Sequence, residues 1–143
     1  MRIAEIMTRD PEVVASDSFL QDAAMKMQEL NVGMLPIRDG DRLVGMLTDR
    51  DITVRATAQG RDPTKTQVRE VMTPDVIYCF EDQDVSQAAK LMQDKQIRRL
   101  PILSREKRLV GIVSLGDVAV HSGQQDTVSE TIKEVSEPAE PNR

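Results

Sequence analysis

"RLVGMLTDRDI" (42–52) and "RLVGIVSLGDV" (108–118) are near copies of one another. Each carries Arg-Leu-Val-Gly, two apolar residues, a hydroxyl residue, two variable positions, an Asp and a β-branched aliphatic. The apolar part reads as a strand. The hydroxyl-x-x-Asp that follows reads as the start of a helix, where a side-chain oxygen can take up a free backbone N–H.

The duplication extends well beyond these stretches. At an offset of 65 residues, "IAEIMTRD" (3–10) lies over "VREVMTPD" (68–75), and "LPI" at 35–37 lies over "LPI" at 100–102. Between them Ala23, Ala24, Met27 and Gln28 match Ala88, Ala89, Met92 and Gln93. "RDGD" then faces the one-residue-longer "LSREK", and from there the offset is 66. An insertion placed at a turn is what a duplicated unit tolerates.

Each copy predicts the order strand, helix, strand, strand, helix. The first strand is "EVVAS" (12–16) or "VIYCF" (76–80). The helix is 17–31, with Leu20, Ala23, Ala24, Met27 and Leu30 at helical spacing, or 84–95, with Val85, Ala88, Ala89 and Met92. Asp17 and Asp82 stand near the helix starts as candidate caps. The hairpins pair "MLPIR" with "RLVGML" and "RLPIL" with "RLVGIV", with "DGD" at 39–41 as a turn. Closing helices begin near Asp49 and Leu115. The fold class is α+β, with two β-α-β-β-α repeats, 1–62 and 63–123, packed with pseudo-two-fold symmetry. A unit of about 60 residues is marginal alone, so two would pack together and present two clefts. The tail, 124–143, predicts a short amphipathic helix over 127–135 and a disordered end from 136 to 143.

Composition narrows function. With 143 residues and 39% apolar content, a packed core is expected. A net charge of −5 without a long basic run argues against general nucleic-acid binding. No apolar run reaches membrane-spanning length, the N-terminal stretch lacks a secretory apolar region, and Cys79 is the single cysteine. The expected compartment is the cytoplasm. One His and one Cys make no His/Cys zinc site within a chain, and no nucleophile constellation or Gly-rich phosphate loop is present, so no enzyme is expected. Met25, Met27, Met34, Met46 and Met92 read as core filler, and Cys79 as buried and inert.

Thr48/Asp51 and Ser114/Asp117 admit two compatible readings. One is a capping box, contributing about 0.5–2 kcal/mol. The other is a nucleotide cradle. A strand-to-helix junction offers N–H groups to a phosphate, the hydroxyl can donate to it, and the Asp can accept from ribose hydroxyls.

The doubled set "EIMT…LPI…RLVGMLTDRDI" and "EVMT…RRLPIL…RLVGIVSLGDV" resembles a pair of CBS domains over roughly residues 1–122. It is similar to small stand-alone bacterial two-CBS proteins, hypoxic-response-type ones among them. The resemblance implies a Bateman module that binds AMP, ADP, ATP or S-adenosylmethionine as a regulatory ligand, with no obligatory cofactor. It further implies a disc-like homodimer and an effector protein that the sequence leaves unnamed. It implies ribose and phosphate roles for Thr48, Asp51, Ser114 and Asp117. In the γ subunit of AMP-activated protein kinase a basic pair before the Leu-Pro-Val-type strand reaches phosphates. Arg98 and Arg99 hold those positions here, with Arg in place of His at the first, whereas the first repeat has Gly33 and Met34. Arg50 is a further phosphate candidate. The adenine slot would be lined by Val13, Val14, Met34, Ile77, Tyr78 and Ile97. The competing expectation is a ligand-free dimeric interaction or stress-response module in which the hydroxyl–Asp pairs only cap helices.

Overall fold

A computed structural model describes residues 1–121. In chain order the elements are β1 (Thr8–Arg9), β2 (Val14–Ala15), α1 (Leu20–Leu30), β3 (Met34–Asp39), β4 (Arg42–Thr48) and α2 (Asp49–Arg55). They continue with β5 (Cys79–Phe80), α3 (Val85–Lys95), β6 (Arg99–Leu103), β7 (Leu109–Ser114) and α4 (Leu115–His121). The two β-α-β-β-α repeats are present as expected. The helix expected over 127–135 and the end at 136–143 lie outside the described residues.

The chain forms two compact units. One is Glu12–Val76. Its sheet has the order β2-β3-β4, with β2 parallel to β3 and β3 antiparallel to β4. Apolar positions of α1 (Leu20, Ala23, Met27) pack against Leu35, Ile37 and Leu47 of the hairpin. The helical period and the strand period thus meet in one core. Asn31 ends α1 in the left-handed region (φ 54°), a conformation Asn tolerates.

The other unit joins Met1–Pro11 to the described residues from Ile77 to His121. Its sheet has the order β1-β7-β6-β5, again with a parallel pair (β5, β6) and an antiparallel hairpin (β6, β7). Val85, Ala88, Ala89 and Met92 of α3 pack on Leu100, Ile102 and Val113. Both hairpins shift register at the same place, between Ile37 and Arg38 and between Ile102 and Leu103.

The compact units are offset from the sequence repeats. The "IAEIMT" segment forms a 3-10 turn, Ile3–Glu5, and then pairs Thr8 with Ile112 of β7. Ile3, Ile6 and Met7 enter the core of the second repeat. The matching segment at 68–73 forms the turn Val68–Glu70, bridges Thr73 to Met46 of β4, and places Val68 and Val71 in the core of the first repeat. Each repeat's helices and hairpin are therefore completed by the leading segment of the other. Burying an aliphatic side chain fully contributes about 1.5–3 kcal/mol. Ile3 and Val68, both at 0% exposure, are thus substantial parts of the bodies they join.

This crossing explains the glycine of Arg-Leu-Val-Gly. A Cβ at Gly45 would stand 2.6 Å from Met72 Sδ and 2.9 Å from the Thr73 carbonyl oxygen. At Gly111 it would stand 2.6 Å from Met7 Sδ and 2.9 Å from the Thr8 carbonyl oxygen.

Several local expectations are corrected. The strands expected at 12–16 and 76–80 contract to Val14–Ala15 and Cys79–Phe80, because only these residues pair with the neighbouring hairpin strand, Val14 and Ala15 with Ile37 and Arg38, and Cys79 and Phe80 with Ile102 and Leu103. Asp17 does not cap α1. Phe19 is at the cap position, and Leu20 N–H and Gln21 N–H donate instead to the carbonyls of Thr66 (2.9 Å) and Pro63 (3.1 Å). Asp82 does not cap α3 either. It pairs with Arg105 at 2.8 Å, while Asp84 accepts from Ser86 N–H at 2.9 Å. Among the methionines read as filler, Met27, Met46 and Met92 are buried, but Met25 is 57% exposed on the outer face of α1. Cys79 is buried, and burial pushes its thiol pKa up.

Candidate functional site

The strand β4 turns directly into α2 at Thr48, which keeps an extended backbone (φ −114°, ψ 160°). Thr48 Oγ1 accepts from Asp51 N–H, and Asp51 Oδ2 accepts from Thr48 N–H, both at 3.0 Å. The second repeat does the same. Ser114 Oγ accepts from Asp117 N–H at 3.0 Å, and Asp117 Oδ2 accepts from Ser114 N–H at 2.8 Å. Both pairs close capping boxes, so the structural role read from their spacing is realised.

The two sites differ in what surrounds the acid. Asp51 is buried at 8% exposure. Both its carboxylate oxygens lie 3.4 Å from Thr73 Oγ1, and Arg55 Nε stands 4.0 Å from Oδ1. Arg55 spends its Nη1 on the carbonyls of Val71 (3.3 Å) and Met72 (3.2 Å). Asp117 is only half-buried, and its Oδ1 is outside the Ser114 box. Sequence reasoning missed Thr73 and Arg55. The repeated Met-Thr of "IMT" and "VMT" was the available signal for Thr73, but nothing in it showed which repeat it serves.

The expectation that both helix starts hold free N–H groups for a phosphate is corrected for the first repeat. Asp49 N–H donates to Gly33 O (3.0 Å), Arg50 N–H to Asp49 Oδ1 (2.8 Å) and Asp51 N–H to Thr48 Oγ1. In α4, Leu115 N–H donates to Arg98 O (2.9 Å) and Asp117 N–H to Ser114 Oγ.

The basic candidates fall beside the second pair. Arg99 is the cross-strand partner of Ser114, and the Arg98 carbonyl holds the first N–H of α4. Both arginine side chains are exposed. In the first repeat Met34, half-buried, takes the place of Arg99 opposite Thr48, and Arg50 is exposed on α2.

The apolar candidates divide between the two units, Val13, Val14 and Met34 in one and Ile77, Tyr78 and Ile97 in the other. Ile77 and Ile97 are half-buried against the core of the second repeat, alongside Leu115. Tyr78 makes an edge-on contact with Phe80, with ring centroids 5.5 Å apart. Val14 is buried in the core of the first repeat. Val13 lines a groove of about 450 Å³ whose walls include Asp22, Met25, Lys26 and Arg38 but neither Thr48 nor Asp51. Lys26 Nζ donates to the Val13 carbonyl at 3.2 Å and pairs with Glu12 at 3.1 Å.

Among the described residues, no three or more His, Cys, Asp and Glu side chains gather to hold a metal ion. No helix among them is long and apolar enough to cross a membrane.

Comparison with known proteins agrees with this architecture. The CBS domain family matches residues 3–56 and 68–122. The CBS domain-containing protein YhcV of Bacillus subtilis is 40% identical over 134 residues, covering 94% of each chain. The crystal structure of Hypoxic Response Protein I with two coordinated zinc ions is 37% identical, with a TM-score of 0.77 over 85% of this chain and 98% of its own. The CBS domain pair of protein MJ0100, solved with 5′-methylthioadenosine and S-adenosyl-L-methionine, is 31% identical, with a TM-score of 0.73 over 87% of this chain and 98% of its own. CBS domains are regulatory rather than catalytic. Two copies of the hydroxyl–Asp hairpin-to-helix junction, each in its own β-α-β-β-α repeat and each matched by the family, make this chain a member of the CBS-domain family, carrying the domain as a tandem pair.

Proposed function

We propose that this CBS-pair regulatory module binds an adenosine nucleotide, with Ser114 and Asp117 holding the ribose and Arg98 and Arg99 holding the phosphate. The observation that carries this reading is the assembly around Ser114. A half-exposed acid with one carboxylate oxygen outside its capping box stands beside a hydroxyl whose cross-strand neighbour is an exposed arginine. A carboxylate accepts readily from ribose hydroxyls, and guanidinium groups fit phosphate with charge-assisted hydrogen bonds. The relative crystallised with methylthioadenosine and S-adenosylmethionine supports an adenosine ligand. Such a ligand would act by favouring one state of the module, or of a homodimer, over another, and it can bias them only by its difference in affinity between them. The partner that receives the signal is an effector protein.

Isothermal titration of nucleotide-free protein with AMP, ADP, ATP and S-adenosylmethionine tests the reading. Binding is expected in the micromolar range, about −8 kcal/mol, and Asp117→Asn should weaken it about tenfold or more. Absence of heat and of any melting shift with all four ligands leaves the ligand-free interaction module, which the closed capping boxes also fit. Sedimentation of the same samples reads the homodimer, and a monomer at micromolar concentration would remove it.

A further inference from the structure

The leading segment is held as a bound peptide would be. Ile3 N–H donates to Gln83 O and Ala4 N–H to Glu81 O, both at 2.9 Å, while Met1 O accepts from Val85 N–H at 3.0 Å. Thr8 and Arg9 then pair with Ile112 and Gly111. All these partners lie between residues 81 and 112, yet residues 10–13 tie the segment covalently to β2 of the other unit. That link carries an unusual backbone. Among the described residues, the non-glycine residues with positive φ are Asp10, Asn31, Gln96 and Lys107. Asn31 and Gln96 end helices, and Lys107 sits in the turn between β6 and β7, where the left-handed region is ordinary. Asp10, at φ 50°, closes neither a helix nor a hairpin. It also precedes Pro11, and a proline steers the residue before it to an extended backbone, with φ about −120°. Asp75, at the matching place in the second repeat, has no such backbone.

We infer that two copies of this chain exchange their leading segments as concentration rises, each seating residues 1–9 of the other against its own 81–85 stretch and β7. The seat fits this occupant because a second copy presents the same segment, with Ile3, Ile6 and Met7 for the same buried positions. Every contact of the segment is kept, so the closed chain and the exchanged pair differ in residues 10–13. Two effects then compete. A short tether holds the segment at an effective concentration in the millimolar range, which favours the closed chain. Exchange frees Asp10 to take the extended backbone that Pro11 favours, and a strained hinge is what makes such an exchange accessible below that concentration. The inference does not rest on the nucleotide reading.

Thiol cross-linking tests it. In a Cys79→Ala background, Thr8→Cys/Ile112→Cys joins cross-strand partners, and Arg2→Cys/Asp84→Cys joins a second bridged pair on the same segment, both of whose residues are exposed. Cross-strand Cα atoms stand about 4.5–5.5 Å apart, within disulfide reach, and a short bismaleimide links the thiols where oxidation stalls. Each protein is refolded at about 2 µM and about 200 µM chain, both below the tether's effective concentration, linked, and run on a denaturing gel without reductant. Links within one chain are expected at the lower concentration, and covalent dimers at the higher one. Asp10→Gly, which removes the strain from an exposed position, should need about fivefold or more protein for the same share of dimer. Links within single chains at both concentrations would overturn the exchange, even if sedimentation finds a dimer, because a dimer built through any other face leaves each segment in its own chain. An equal share of covalent dimer with and without Asp10→Gly would also overturn it.

Discussion

Asp84 shows how one residue ties the protein to acid. Its carboxylate accepts from the hydroxyl and the backbone N–H of Ser86, and these bonds hold its pKa at about 2 against an ordinary 3.8. A carboxyl whose folded pKa is depressed contributes stability above its unfolded pKa. That contribution is lost as the pH falls through the folded value. The contribution of Asp84 is therefore complete above about pH 4 and disappears toward pH 2. Asp84→Asn keeps a capping side chain but removes the titration. Its melting temperature should fall less steeply than that of the wild type between pH 4 and 2, and parallel curves would contradict the assignment. At this scale the sequence was readable wherever a residue acts on near neighbours. Thr48 with Asp51 and Ser114 with Asp117 are three residues apart, and spacing alone paired them. Thr73 under Asp51 is twenty-two residues away, and Asp49 over Gly33 reaches from a helix back to the turn before the hairpin, so no periodicity marks either contact.

Among the elements, β4 and β7 carry the sharpest constraint. Each has one glycine over which a Met-Thr segment crosses. The neighbouring methionine sulfur can swing aside from an added methyl group. The Thr73 carbonyl cannot, because it accepts Met46 N–H at 2.9 Å while Thr73 N–H donates back to Met46 O at 2.8 Å. Gly45→Ala and Gly111→Ala should each cost about 1–3 kcal/mol through overpacking. Gly116→Ala is the control, since its Cβ would meet only Ser114 Oγ at 3.6 Å. Thermal melts of the three variants decide the point, and a wild-type midpoint for Gly45→Ala would show the crossing to be loose. The helices and hairpins themselves were readable because their apolar periods and turn residues act locally. Helix starts were less so. The first N–H groups of α1 are taken by carbonyls from residues 63–66, a partner that no side-chain pattern announces.

For the whole molecule, the boundary that matters lies between Pro11 and Glu12 and again between Val76 and Ile77, not between the copies of the repeat. A fragment spanning 12–76 keeps Val68 and Val71 over its core and the Thr66 and Pro63 carbonyls over the start of α1. A fragment spanning 1–62 loses all four. At about 60 residues either is marginal, so the ranking is what counts. Circular dichroism melts and limited proteolysis should show a cooperative, protected 12–76 and an unfolded 1–62, and the opposite order would refute the exchange. Self-similarity revealed that there are two units, but it is silent on which leading segment completes which body, because both segments carry the same Glu-aliphatic-Met-Thr pattern. The exchange also sets an order of events on the ribosome. The body built on β4 has all its parts once Val76 is made. The stretch from Ile3 to Thr8 must wait for its partner strand near Ile112, about a hundred residues later, which at about 5–20 residues per second is some 5–20 s. During that interval Ile3, Ile6 and Met7 are an exposed apolar segment awaiting its seat, and the nascent chain is at its most chaperone-dependent.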